Sequence, residues 1–177
     1  DFGFRMPSVL WFQTYIENGN PHINIIDEII HERNIATDKL AEMIKKKNYP
    51  VITYYGDPAG SFVQGQSGMG DIHVFRKHGI YVEYRMDKLS RNIQGGISYC
   101  RGFFENADGL RRIKVDNRCV GIAEDFANYR FPEAQEGKPI SNNPIKDGYN
   151  EHGCDAFRYF ILNRFPIRSN FIGRISR

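Results

Sequence analysis

An α/β domain built on a mixed sheet is the fold this sequence predicts. Three observations predict it: two early strand-patterned runs joined by a turn cluster, an amphipathic segment crossing to a further strand, and alternating helix and strand patterns after that. The chain has 177 residues, 41% of them hydrophobic and 25% charged, which suits one soluble domain with a sizeable core.

Ser8-Val9-Leu10-Trp11-Phe12-Gln13-Thr14-Tyr15-Ile16 is rich in aromatic and β-branched residues, and Asn18-Gly19-Asn20-Pro21 ends it. His22 to Ile30 repeats the strand pattern, so the pair reads as a hairpin. Thr37 or Asp38 is positioned to cap a helix that runs to the basic end Lys45-Lys46-Lys47, where positive charge suits the helix C-terminus. Pro50 stops it, and Val51 to Tyr55 reads as a short buried strand that delivers Asp57 at its end. Residues Pro58 to Gly70 read as loop, and Asp71 as the cap of a short helix closed by Gly79. Ile80 to Arg85 is a strand pattern. Asp87 to Phe104 is helical despite Gly95-Gly96, which falls in its middle. Leu110 to Val115 gives a strand, Val120 to Tyr129 a helix, Phe131 to Asn150 a long loop, and Glu151 to Asn163 a last helix before Pro166.

Composition excludes several functions. Cys100, Cys119 and Cys154 are scattered and odd in number, which argues against a zinc knuckle or disulfide framework and for a reducing compartment. No apolar run reaches the roughly 18 residues of a membrane helix. The loop from Gly56 to Gly70 is glycine-rich but lacks Gly-Lys-Ser/Thr, so it is no nucleotide-phosphate loop. It reads instead as a rim whose backbone and Gln side chains can approach a sugar-phosphate backbone. The net charge of +3 permits a polyanionic partner. Arg85, Lys88 and Arg91, then Arg111, Arg112 and Lys114, then Arg164, Arg168, Arg174 and Arg177 form basic groups that fit solvated faces or a DNA groove.

Three widely spaced acids carry the chemical reading. Asp1, Asp57 and Asp155 each stand where a regular element begins or ends. Carboxylates that converge from such positions form a hard, oxygen-rich site for Mg²⁺ or Mn²⁺, and a pair of such ions is suited to phosphodiester cleavage. His152 and Tyr159 lie three residues before and four after Asp155, so the three can share one helix face. The plain alternatives are a solvated terminus for Asp1, a turn residue for Asp57 and a helix-start residue for Asp155. His22, His31, His73 and His78 have no partner at ligand spacing and read as surface or structural.

Asp1-Phe2-Gly3-Phe4 before a hairpin ending Ile26-Asp27-Glu28, then Gly56-Asp57-Pro58-Ala59-Gly60, then Asn150-Glu151-His152-Gly153-Cys154-Asp155-Ala156-Phe157-Arg158-Tyr159 resemble the C-terminal nuclease domain of tailed-phage terminase large subunits. The last of these, similar to the family's His-x-x-Asp-Ala-x-Arg-Tyr signature, is the most specific. The resemblance implies an RNase H-like fold with a central mixed sheet of five or more strands flanked by helices. Residues 1–165 would form the nuclease domain and 166–177 a basic tail. The family's ATPase motor would lie N-terminal to Asp1 and is absent from this chain, which begins abruptly at the first motif.

What the resemblance implies about function is a metal-dependent endonuclease that cuts concatemeric viral double-stranded DNA during packaging. Its Mg²⁺ or Mn²⁺ ligands would be Asp1, Asp57 and Asp155, with His152 where some members place a histidine. Implied partners are the terminase small subunit and the portal, in the host-cell cytoplasm and away from membranes, with the isolated domain monomeric. A junction resolvase, a transposase-type enzyme and a non-catalytic DNA-docking domain fit the same acids.

Overall fold

The computed structural model describes residues 2, 6–62, 70–87, 92–133 and 143–167. The hairpin forms as expected. Strand β1 (Val9–Glu17) pairs antiparallel with β2 (Asn20–Ile29) through the two-residue turn Asn18-Gly19, whose φ values of 49° and 75° are the left-handed pair that this tight turn requires. A register shift between Trp11 and Phe12 bends β1. On the far side of β2, strand β5 (Ile113–Val115) runs parallel to it, with Ile23 opposite Ile113.

The remaining strands, β3 (Tyr54–Tyr55) and β4 (Val82–Glu83), pair parallel in a second sheet. Among the described residues the expected single five-stranded sheet is therefore divided, three strands in one sheet and two in the other. A cavity of about 690 Å³ is lined by Val9 to Thr14 of β1 on one side and Pro50 to Tyr55 on the other. Strand geometry needs a hydrogen-bonded neighbour. Among the described residues no strand pairs with Val51 to Thr53, so β3 is shorter than the sequence pattern suggests.

Helices cover both faces of the sheet. Helix α1 (Thr37–Lys46) and helix α2 (Asp71–Lys77) pack Leu40, Ala41, Ile44 and Phe75 against Trp11 and Ile29. On the other face, helix α3 (Ile93–Phe104), helix α4 (Val120–Asn128) and helix α5 (Glu151–Arg164) bring Phe103, Ile122, Phe157 and Ile161 onto Ile23 and Ile25. Phe12 stacks on Phe160 with centroids 3.7 Å apart, fixing α5 across the hairpin.

Several caps differ from the sequence expectation. Neither Thr37 nor Asp38 caps α1; Ala36 precedes it with no side-chain cap bond, and the Thr37 hydroxyl instead donates to Asp71 at 2.6 Å. Asp71 is thus the first residue of α2 rather than its cap, and ties the two helices together. Helix α3 starts at Ile93, later than Asp87, because the Asn92 side chain accepts from the Gly95 amide. Gly95-Gly96 consequently falls in the first turn. A Cβ on Gly96 would meet Arg158 and Leu162 of α5 at 3.0 and 3.2 Å, so close helix packing uses that glycine.

Candidate active site

Asp57 follows β3 and caps a 3₁₀ turn over Pro58–Ser61, its Oδ1 accepting from the Ala59 amide at 2.8 Å. The chain there is tightly packed, since a Cβ on Gly56 would sit 2.7 Å from the Phe2 ring, and Gly60 lies against the same ring. Phe2, the neighbour of Asp1 in sequence, is thereby held beside the two glycines that bracket Asp57. Asp1 itself lies outside the described residues, as do the rim residues 63–69, Lys88, Arg91 and the tail from 168 onward.

Asp155 sits in the second turn of α5. Arg158 donates to its Oδ1 from Nε at 3.2 Å and from Nη2 at 2.9 Å, and both side chains are largely buried. Burial alone would lower the Arg158 pKa, but the Asp155 charge and Tyr159 more than reverse it, so the guanidinium is held firmly charged. His152, half-buried, lies one helical turn before Asp155.

Tyr159 follows Arg158 on α5 and feels both acids' charges. Burial, with the Asp57 and Asp155 charges added and Arg158 opposing, pushes its phenol up to about 12. The hydroxyl therefore stays neutral and able to donate. Among the described residues no three His, Cys, Asp or Glu side chains cluster at metal-binding range. Asp57 Oδ1 accepts from the Ala59 amide and Asp155 Oδ1 from the Arg158 guanidinium. Carboxylates together with an imidazole are a donor chemistry suited to Mg²⁺ or Mn²⁺.

Sequence reading missed two carboxylates and gave a histidine no partner. Glu28, at the end of β2, accepts from the Gly121 and Ile122 amides at 2.8 Å each, and so caps α4 from a distance. Asp125 on α4 is fully buried; its Oδ1 meets His31 Nε2 at 2.8 Å and its Oδ2 accepts from the Gly153 amide at 3.1 Å. His31 had read as surface or structural, and it is structural. No local signal marks these pairs, whose partners lie 28 to 94 residues apart. Of the other acids near the hairpin end, Asp27 is committed to Lys47 and Tyr49. Of the basic groups, Arg85 is paired with Asp87, Arg111 with Glu105, and Arg112 lies over Phe103.

Burial pushes the Asp125 carboxyl up to about 6, against the opposing pull of His31 and the Gly153 amide. Its folded pKa is thus above the unfolded value of 3.8, so its contribution to stability is full below that value and is lost as pH rises to about 6. Asp125→Asn has no such titration. Thermal midpoints measured across this window should shift in favour of the variant, relative to wild type, as pH rises; parallel curves would contradict the assignment.

With the fold and these residues in place, comparison with known structures is informative. The nuclease domain of g2p, the large terminase of bacteriophage SPP1, solved with bound Mn, superposes with a TM-score of 0.63, covering 92% of this chain and 82% of that one at 19% identity. This chain has the fold of a large-terminase nuclease domain. No family profile and no curated protein sequence matches it. The mixed α/β architecture and the terminase likeness expected from the sequence motifs are both found. No helix among the described residues is long and apolar enough to cross a membrane.

Proposed function

We propose that this domain is a divalent-metal-dependent DNA endonuclease that cuts viral concatemers during genome packaging. One observation carries the reading: the fold of a terminase nuclease domain extends over 92% of the chain. The motif acids stand on it at the end of β3, Asp57, and in the second turn of α5, Asp155. Asp1, Asp57 and Asp155, with His152, are the residues assigned to the metals. An RNase H-like fold belongs to the same reading.

Two bound Mg²⁺ or Mn²⁺ ions would lower the pKa of the attacking water and stabilise the leaving oxygen. The chain's own residues do the positioning. The Ala59 amide orients Asp57, Arg158 orients Asp155 and balances its charge, and Tyr159 offers a neutral donor on the same helix. Lys and Arg side chains would hold the duplex through its phosphates, making binding steeply salt-dependent. Cutting is separate from translocation, which would need an ATPase motor. The small subunit and portal are the proposed partners, and the host cytoplasm the proposed location.

The test is conversion of supercoiled plasmid to nicked and linear forms with Mn²⁺, and its loss with EDTA. Asp57→Asn and Asp155→Asn are expected to lower cleavage at least about a hundredfold while leaving the fold intact. DNA binding without cutting by the wild-type chain would assign a docking role instead. A strong preference for four-way junctions would assign a resolvase.

A further inference from the structure

The geometry points to His31 and Asp125 as a positioning couple that fixes the turn of α5 carrying His152 and Asp155; it rests on the proposed nuclease reading for its functional meaning. Gly153 is the third residue of α5, and its amide is one of the orphan donors a helix N-terminus must satisfy. The local cap residue, Asn150, makes no side-chain cap bond. Asp125 of α4 supplies the acceptor instead, fully buried, at 3.1 Å. The cap of the Gly153 amide is therefore a tertiary contact, added to the local bonds by which Asp147 and Glu151 accept from the amides of 148 to 150.

The other half of the couple reaches the same turn from a different side. His31 bonds the remaining Asp125 oxygen, and its ring stacks on Tyr149 at 3.9 Å and 20°, just before α5 begins. To do so the residue after β2's end region adopts φ 62°, a left-handed conformation uncommon for a side chain of this size. Such a conformation persists where the surroundings over-determine it. The Asp125 carboxylate of α4 thus joins the segment after the hairpin, through His31, to the first turn of α5, through Gly153, and the His31 ring in turn packs on the approach to α5. His152 adjoins Gly153, and Asp155 follows two residues later. A displacement of that turn moves both proposed ligands together. The charged or titratable groups around Asp125 are His31, Glu124 and Cys154.

The experiment compares wild type with His31→Ala, Asp125→Ala and Asp125→Asn, using Asp27→Asn as a control that removes the charge from another largely buried carboxylate contact, the one to Lys47. Hydrogen exchange of the amides from 151 to 155 is read first. It is expected to speed at least about tenfold in His31→Ala and Asp125→Ala, and not in Asp27→Asn. Asp125→Asn, which keeps an oxygen for the Gly153 amide, should recover part of the protection. Mn²⁺ affinity by calorimetry is read second, with an expected fall of about 10- to 100-fold for the alanine variants and none for the control. Unchanged exchange at 151–155 overturns the couple outright. Faster exchange with unchanged Mn²⁺ affinity, or an equal loss of affinity in the control, reduces it to a merely structural cap and overturns its positioning role. If wild type itself binds no Mn²⁺ and cuts nothing while exchange responds as expected, the nuclease reading fails and the couple stands as the anchor of α5.

Discussion

Truncating Arg158 to alanine is expected to cost roughly 3–5 kcal/mol of folding stability, measured by urea denaturation. The guanidinium is almost fully buried, with 5% of its side chain exposed, and its carboxylate partner Asp155 is at 17%. Removing one member of such a pair leaves the other desolvated without compensation, which is why the loss exceeds anything a surface ion pair shows. Packing adds to it. The Arg158 stem lies where a Cβ on Gly96 would touch it, and its head stands 4.5 Å from the Tyr159 ring. A loss under about 1 kcal/mol would mean that the pair is effectively solvated. The same reasoning governs how Asp155 is tested. Asp155→Ala strands a buried guanidinium and would confuse instability with inactivity, whereas Asp155→Asn keeps an acceptor and removes only the charge.

The parts of this fold that the sequence reveals are those decided locally. The Asn18-Gly19 turn, the apolar alternation of the hairpin and the amphipathic run of α1 each name their element within about ten residues. Helix starts are the opposite case. Ala36, Gly70, Cys119 and Asn150 precede helices without a side-chain cap bond, while Glu28 and Asp125 cap α4 and α5 from other elements. Capping patterns read along the chain are blind to a carboxylate that arrives through space. Strand length fails for a related reason: Val51 to Thr53 has strand composition, but a strand exists only where a neighbour pairs with it. The places of Asp57 just past a strand and of Asp155 near the start of a helix follow from local pattern. The role of Arg158 as Asp155's partner follows from spacing on a helix, at i and i+3. The Asp125–His31 link spans 94 residues and leaves no trace in local pattern.

Gly153→Ala should destabilise the protein by roughly 1–3 kcal/mol and lower Mn²⁺ affinity as well, although alanine is the better helix former. In an open helix the same change gains up to about 1 kcal/mol. Gly102 on α3 provides that reference, since a Cβ there would meet nothing within 4 Å, and Gly102→Ala should stabilise. At Gly153 the added carbon would overlap Asp125 Oδ2 and lie 2.6 Å from Ile30 Cδ1 and 2.9 Å from Ile122 Cδ1. The isoleucine tips can turn aside, but the carboxylate is held by His31 on its other oxygen, so the helix must yield. Movement of α5 away from α4 stretches the Gly153 amide from its acceptor and carries His152 and Asp155 with it. Thermal melts of the two glycine variants should therefore shift in opposite directions. If both rise, the approach of α5 to Asp125 is looser than the 3.1 Å bond implies, and the tertiary cap does not hold the turn.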